Sequence, residues 1–281
     1  MDALAWCRER MLVPGQPLMA SLPFAESADR DCILAIRALG SELLALGTGT
    51  PEPELLSARV QWWQGALAGQ AEHPALRALS EAQCGARIEP AAFAPLLARV
   101  ANSVMQPRFE RFEEFCEYGR ETGGALAVLE YRLKDESARG AAAATDIGMA
   151  GWILRRVRDI AQDARLNCWL LPLDLQAQFQ VARQDVLQAM GGPGWQGLVR
   201  TLVARTLELG DEAACSLGSR HRHLLIHWAV EKRLAAMLVG RPDEVLRRRL
   251  LPGHAGNVWV AWRAARKLQK EAVKAGSRPP R

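Results

Sequence analysis

The chain has 281 residues, 49% of them apolar, and a net charge of +5. That length affords one sizeable core, and the mild basic excess favours acidic ligands or an anionic surface over a nucleic-acid footprint, for which no interleaved aromatic-basic motif is present. Apolar residues recur with a period near 3.6 almost throughout, and β-branched residues other than Val are sparse, so the expected class is all-α.

Residues 1–25 read as a short helix followed by an entry punctuated by Pro14, Pro17 and Pro23. The start carries acids and no apolar leader, and no apolar run reaches the eighteen or so residues of a membrane span, so a cytoplasmic protein is expected. An amphipathic helix follows over 29–46, with Ile33, Ile36, Leu39, Leu43 and Leu46 on one face and Glu42 as its late carboxylate. The next helix should begin near Pro51–Pro53 and carries Arg59, Gln61, Trp62 and Trp63; paired Trp at this spacing are more often core than site. Two short amphipathic segments occupy 75–101. Over Phe109–Leu133, acids and aromatics including Tyr118 give way to Gly123 and Gly124 inside an apolar run, where a helix is allowed a close approach or a kink.

The stretch 146–174 opens as a long apolar helix that sets Arg155, Asp159 and Asp163 at steps of four, each turned about 40° from the last. Two carboxylates one turn apart suit Mg²⁺ held against a diphosphate. The plainer alternative is a salt-bridged face, with Arg155 pairing Asp159 and Asp163 in water. Arg155, Arg156, Arg158 and Arg165 form a basic cluster on the same helix, and Arg can bind phosphate bidentately without a metal. After Pro172 comes a loop-like run, then Gly-Gly-Pro-Gly at 191–194, then helices over 195–217 and 219–240. His223 and His227 at i,i+4, flanked by His221 and Glu231, offer a metal two ligands at best where three are needed. The six Cys lack C-x-x-C spacing and read as buried free thiols in a reducing compartment. Residues 269–281 read as a basic disordered tail on a domain of 1–268.

Gly148, Ala150, Arg158, Asp159, Asp163, Ala164, Leu171 and Pro172 together resemble the second acidic motif of the squalene/phytoene synthase family. The resemblance implies an isoprenoid synthase fold, a single-domain helical bundle around a central cavity. It also implies head-to-head condensation of two prenyl diphosphates, with Mg²⁺ held by acidic motifs on facing helices. Arg59, Gln61, Trp62 and Trp63 resemble the run that follows the family's first motif, and Tyr118, Gly123 and Gly124 match the helix that bends beside the prenyl chain. Two departures stand out. Arg155 replaces an Asn or Asp of the second motif, and Leu44, Ala45 and Thr48 stand where the first motif's acids belong, leaving Glu42.

Tyr118, Glu121, Thr122 and Leu126 resemble the branch that includes the mitochondrial respiratory complex I assembly factor. The expected function is therefore non-catalytic: binding of an isoprenoid diphosphate or lipid phosphate by Arg155, Arg156, Arg158 and Arg165 with Trp62, Gly123 and Gly124, without cofactor. Respiratory complex subunits and a peripheral contact with the inner membrane are the implied partners, and nucleic acid is not. The alternative is an active prenyltransferase with Mg²⁺ on Asp159 and Asp163, for which Glu42 and Tyr118 are the remaining catalytic candidates.

Overall fold

The computed structural model describes residues 2–47, 52–84, 87–102, 108–135 and 137–276. Among these, all regular structure is helical. The first half holds α1 (Ala3–Met11), α2 (Pro17–Ser21), α3 (Ser27–Ala45), α4 (Pro53–Leu67), α5 (Pro74–Glu81) and α6 (Ala94–Asn102). Then come α7 (Phe112–Gly119), α8 (Ala125–Arg132) and the long α9 (Ala138–Arg165). The chain closes with α10 (Leu173–Phe179), α11 (Arg183–Leu187), α12 (Pro193–Ser216), α13 (Arg222–Gly240) and α14 (His254–Gly276).

Local chemistry sets several of these ends. Asp2 accepts from the backbone N–H groups of Leu4 and Ala5 at the start of α1, and Ser137 caps α9 by accepting from Gly140. Pro stands in the first turn of α2, α4, α5 and α12, where its missing N–H costs nothing.

Two apolar cores lie side by side. One gathers α3 with α1, α4, α5 and α6, and in it Ile36, Leu39 and Leu43 of α3 are fully buried, each contributing about 1.5–3 kcal/mol. The other gathers α9 with α7, α12 and α13, and its centre is Met149, Ala150, Ile153 and Leu154. Helix α8 with its C-cap Leu133 is the seam: Leu126, Leu129 and Leu133 enter the first core while Ala127 and Tyr131 enter the second. A five-residue π turn, Arg120–Gly124, joins α7 to α8, and Thr122 Oγ1 donates to the Tyr118 carbonyl inside it.

Gly123 and Gly124 make the close approach their position implies. A Cβ on Gly123 would lie 2.7 Å from the Gly148 carbonyl of α9, and one on Gly124 would lie 2.7 Å from the Thr145 carbonyl. The glycines therefore let the π segment lie directly on α9.

Three expectations are corrected. Cys32 and Cys84 are joined as a disulfide that ties α3 to the end of the α5 region; Cys7, Cys116, Cys168 and Cys215 are free. The run expected to be loop-like forms α10 and α11, because Asp174 and Asp185 cap their first turns by accepting backbone N–H groups. Helix α14 continues to Gly276, past the expected boundary at 268, and residues 277–281 lie outside the described residues, as do Thr48 and Pro51. Among the described residues no helix is long and apolar enough to cross a membrane.

Candidate functional site

Between the two cores, bounded by α3, α9, α13 and the turn before α2, lies a cavity of about 400 Å³. Its walls divide by chemistry. Leu44, Val100, Tyr118, Leu126, Trp152 and Leu170 give an apolar side. Six arginines, Arg10, Arg37, Arg155, Arg156, Arg158 and Arg249, line it as well, against one lining carboxylate, Glu231.

Every one of these guanidinium groups has a carboxylate partner. Arg158 holds Asp159 through two hydrogen bonds of 2.8 and 2.6 Å, and Arg249, arriving from beyond α13, holds the same carboxylate at 2.7 and 3.2 Å. Arg156 reaches Asp163 at 3.1 Å and Asp159 at 3.7 Å. Arg155 donates to Glu231 on α13, not to Asp159 on its own helix, so the expected i,i+4 pair is absent. Arg37 donates to the buried Glu130 of α8. Arg10 reaches Glu42 at 3.2 Å.

Behind this ring sits a buried polar layer. His227 faces Ser21 Oγ at 3.0 Å with Nδ1 and Glu231 at 3.6 Å with Nε2, and His223 lies 3.4 Å from Glu130. Burial pushes His227 down to about 4, so it is neutral at ordinary pH. Burial raises Glu130 and Glu231, but Arg37 with His223 at Glu130, and Arg155 with His227 and Arg158 at Glu231, together outweigh it and bring both to about 2. His223 and His227 thus serve carboxylate partners. Among the described residues no group of three or more His, Cys, Asp or Glu side chains is placed to share a metal ion.

The two motif carboxylates behave differently. Burial opposes the charge on Asp159, yet the hydrogen bonds from Arg158 and Arg249 bring it down to about 2. At Asp163 burial wins over the hydrogen-bonded Arg156 and the more distant Arg158 and Arg249, with Asp159 adding repulsion, and it rises to about 6. These donors do not fit a Mg²⁺ cluster: Asp159 already accepts from two guanidinium groups and Asp163 from a third. On the facing helix α3, Glu42 is taken by Arg10 and does not line the cavity, and Thr48 lies outside the described residues.

Of the expected ligand-binding residues, Arg155, Arg156 and Arg158 line the cavity, as does the catalytic candidate Tyr118, whereas Arg165 is exposed elsewhere on the last turn of α9. Trp62 is 45% exposed, edge-on to Trp63 and near His73 on the outside of α4, away from the cavity. The sequence reasoning missed Arg10, Arg37 and Arg249. Arg37 was legible in part, since it sits one turn before Ser41 on the face of α3 that lines the cavity, but the other two arrive through tertiary folding alone.

A helical bundle enclosing such a cavity is the isoprenoid synthase fold. The chain superposes on the crystal structure of a dehydrosqualene synthase with a TM-score of 0.74 at 14% identity, covering 95% of this chain and 97% of that one. It also superposes on squalene synthase HpnC from Alicyclobacillus acidocaldarius, with a TM-score of 0.64, 16% identity and 86% and 94% coverage. For YisP from Bacillus subtilis the TM-score is 0.66, at 12% identity with 92% and 95% coverage. The chain belongs to the squalene/phytoene synthase family, whose model matches residues 16–252. In sequence it is 25% identical over 130 residues to chloroplastic phytoene synthase 1 of Zea mays, a match covering 43% of this chain and 31%, about a third, of that protein's length.

Proposed function

We propose that this chain binds one isoprenoid diphosphate, or a lipid phosphate of the same build, through guanidinium groups and without Mg²⁺, and that it does not condense two prenyl diphosphates. The observation that carries this is the lining of the cavity: six arginines against one carboxylate, beside an apolar wall suited to a prenyl tail. Arg presents a planar fork that matches phosphate oxygens, so a diphosphate arriving here would exchange part of each Arg–carboxylate pairing for its own. Departure of diphosphate from an allylic carbon calls for concentrated positive charge and a dry pocket. In this fold a metal cluster held by two opposed acidic walls would supply that charge, and here one wall is neutralised by its own arginines while the other presents Ser41, Leu44 and Ala45 to the cavity.

Calorimetric titration with farnesyl diphosphate in the presence of EDTA tests the binding. Saturable heat at one ligand per chain supports it; no heat and no melting shift overturn it. Pyrophosphate release on adding Mg²⁺ and farnesyl or geranylgeranyl diphosphate would favour the alternative, an active head-to-head prenyltransferase. The respiratory-assembly role rests on the resemblance carried by Tyr118, Glu121, Thr122 and Leu126 together with the missing acids of the first motif. A deletion strain separates it from lipid metabolism: reduced NADH:quinone activity supports assembly, and altered squalene, hopanoid or carotenoid content supports a synthase.

A further inference from the structure

The outer face of α14 exposes aromatic and basic side chains together. Its inner face, Asn257, Ala261, Ala264 and Leu268, packs on α2 and α13 around Ile226 and Val230. Directly opposite, Trp259 and Trp262 are 54% and 45% exposed. At about 100° per residue, Arg266, Lys270 and Val273 fall within roughly 40° of Trp259, so all share one face. Arg263 lies over the Trp259 ring at 4.6 Å and Arg266 over Trp262 at 5.0 Å. The helix carries Arg263, Arg266, Lys267, Lys270 and Lys274 against one acid, Glu271, which lies well round from the tryptophans.

Indole rings left in water beside their own guanidinium groups, with exposed Val258 and Val273, combine an apolar payload with positive charge. That combination matches the boundary of an anionic bilayer, where Trp settles at headgroup depth and each basic residue gains from the surface potential. A second copy of this chain fits poorly, because a two-fold interface would set this basic face against itself. We infer that the Trp259–Lys270 face of α14 docks on anionic lipid bilayers as an interfacial helix lying flat on the surface.

Asn257 Nδ2 donates to the Gly15 carbonyl at 3.1 Å, tying the first turn of α14 to the turn whose neighbours Val13 and Gln16 line the cavity. Docking would therefore hold the cavity edge about one helix diameter, roughly 10 Å, from the lipid. The docking itself does not depend on what the cavity binds, and its test uses vesicles free of isoprenoid.

Co-sedimentation of the full chain with phosphatidylcholine vesicles, with and without phosphatidylglycerol, reads the interaction. Binding should require phosphatidylglycerol and fall as salt rises. Arg263→Gln with Arg266→Gln should weaken it about five-fold per residue. Trp259→Ser with Trp262→Ser should weaken it at least ten-fold while the circular dichroism spectrum stays unchanged. Equal binding to pure phosphatidylcholine, no binding, unchanged binding by both double variants, or a dimer in solution that either variant dissolves would each overturn the inference.

Discussion

Arg155 on α9 reaches across to Glu231 on α13, turning away from Asp159 four residues along its own helix. Glu231 is 1% exposed and its other neighbour is the neutral His227, so without Arg155 its charge would stand buried and uncompensated. Removing either partner alone should therefore cost about 3–5 kcal/mol, whereas replacing both by apolar residues of similar volume should be close to neutral. Urea unfolding of Glu231→Leu, Arg155→Leu and the Arg155→Leu/Glu231→Leu pair tests this as a double-mutant cycle. Single substitutions costing under about 1 kcal/mol would mean the pair is solvated in solution.

Arg249 separates stability from binding. Its side chain is half exposed, and Asp159 keeps Arg158 when it is gone, so Arg249→Gln should change stability by less than about 1 kcal/mol. A charge-assisted hydrogen bond to a diphosphate is nevertheless worth about 1.5–3 kcal/mol, so the same substitution should weaken farnesyl diphosphate binding about ten-fold or more. Calorimetry on the variant with EDTA present reads both effects, since the melting temperature is taken on the same sample. Unchanged affinity would place the diphosphate away from Asp159.

The helical class and the spine of the second core were legible because Ile147, Ala150, Ile153, Leu154 and Val157 repeat at helical spacing, and all are buried on α9. The Arg155–Asp159–Asp163 face was legible too, but its partners were not. Spacing reveals only neighbours on one helix, and Glu231 and Arg249 stand 76 and 90 residues away from the groups they meet. Gly123 and Gly124 were recognisable as a point of close approach, yet only tertiary structure reveals that Gly148 and Thr145 of α9 approach them. Trp62 misled for the opposite reason. A motif match carries no information on which of two adjacent Trp turns inward, and it is Trp63, 5% exposed, that does.

The Cys32–Cys84 bridge closes a segment of 52 residues that includes α4 and α5, so its main effect is on the unfolded chain. Its loss should cost about 2–4 kcal/mol, with the fold retained because Cys32 and Cys84 lie in a core already filled by Ile33, Leu39 and Phe93. Cys32→Ser and wild type should then unfold alike in reductant and differ without it. Identical midpoints under both conditions, with mass spectrometry finding six free thiols, would mean that the bond does not form.

Asp163 and Asp159 sit one turn apart and should respond to pH in opposite directions. Asp159, Glu130 and Glu231 are held at about 2, below their ordinary values, so their contribution is present near neutrality and is lost as pH falls from about 4.5 toward 2. Asp163 is raised from 3.8 to about 6, so the folded state favours its protonated form; that contribution is complete below about 4 and is lost as pH rises through about 6. Asp163→Asn removes the second dependence and leaves the first. Relative to wild type, it should gain about 1–3 kcal/mol between pH 4 and pH 8, since a tenfold change in proton affinity is worth about 1.4 kcal/mol before the lost Arg156 contact is subtracted. Urea midpoints across that range provide the measurement. A wild-type-to-variant difference that stays flat with pH would show that Asp163 ionises beside Arg156 as readily in the folded chain as in the unfolded one.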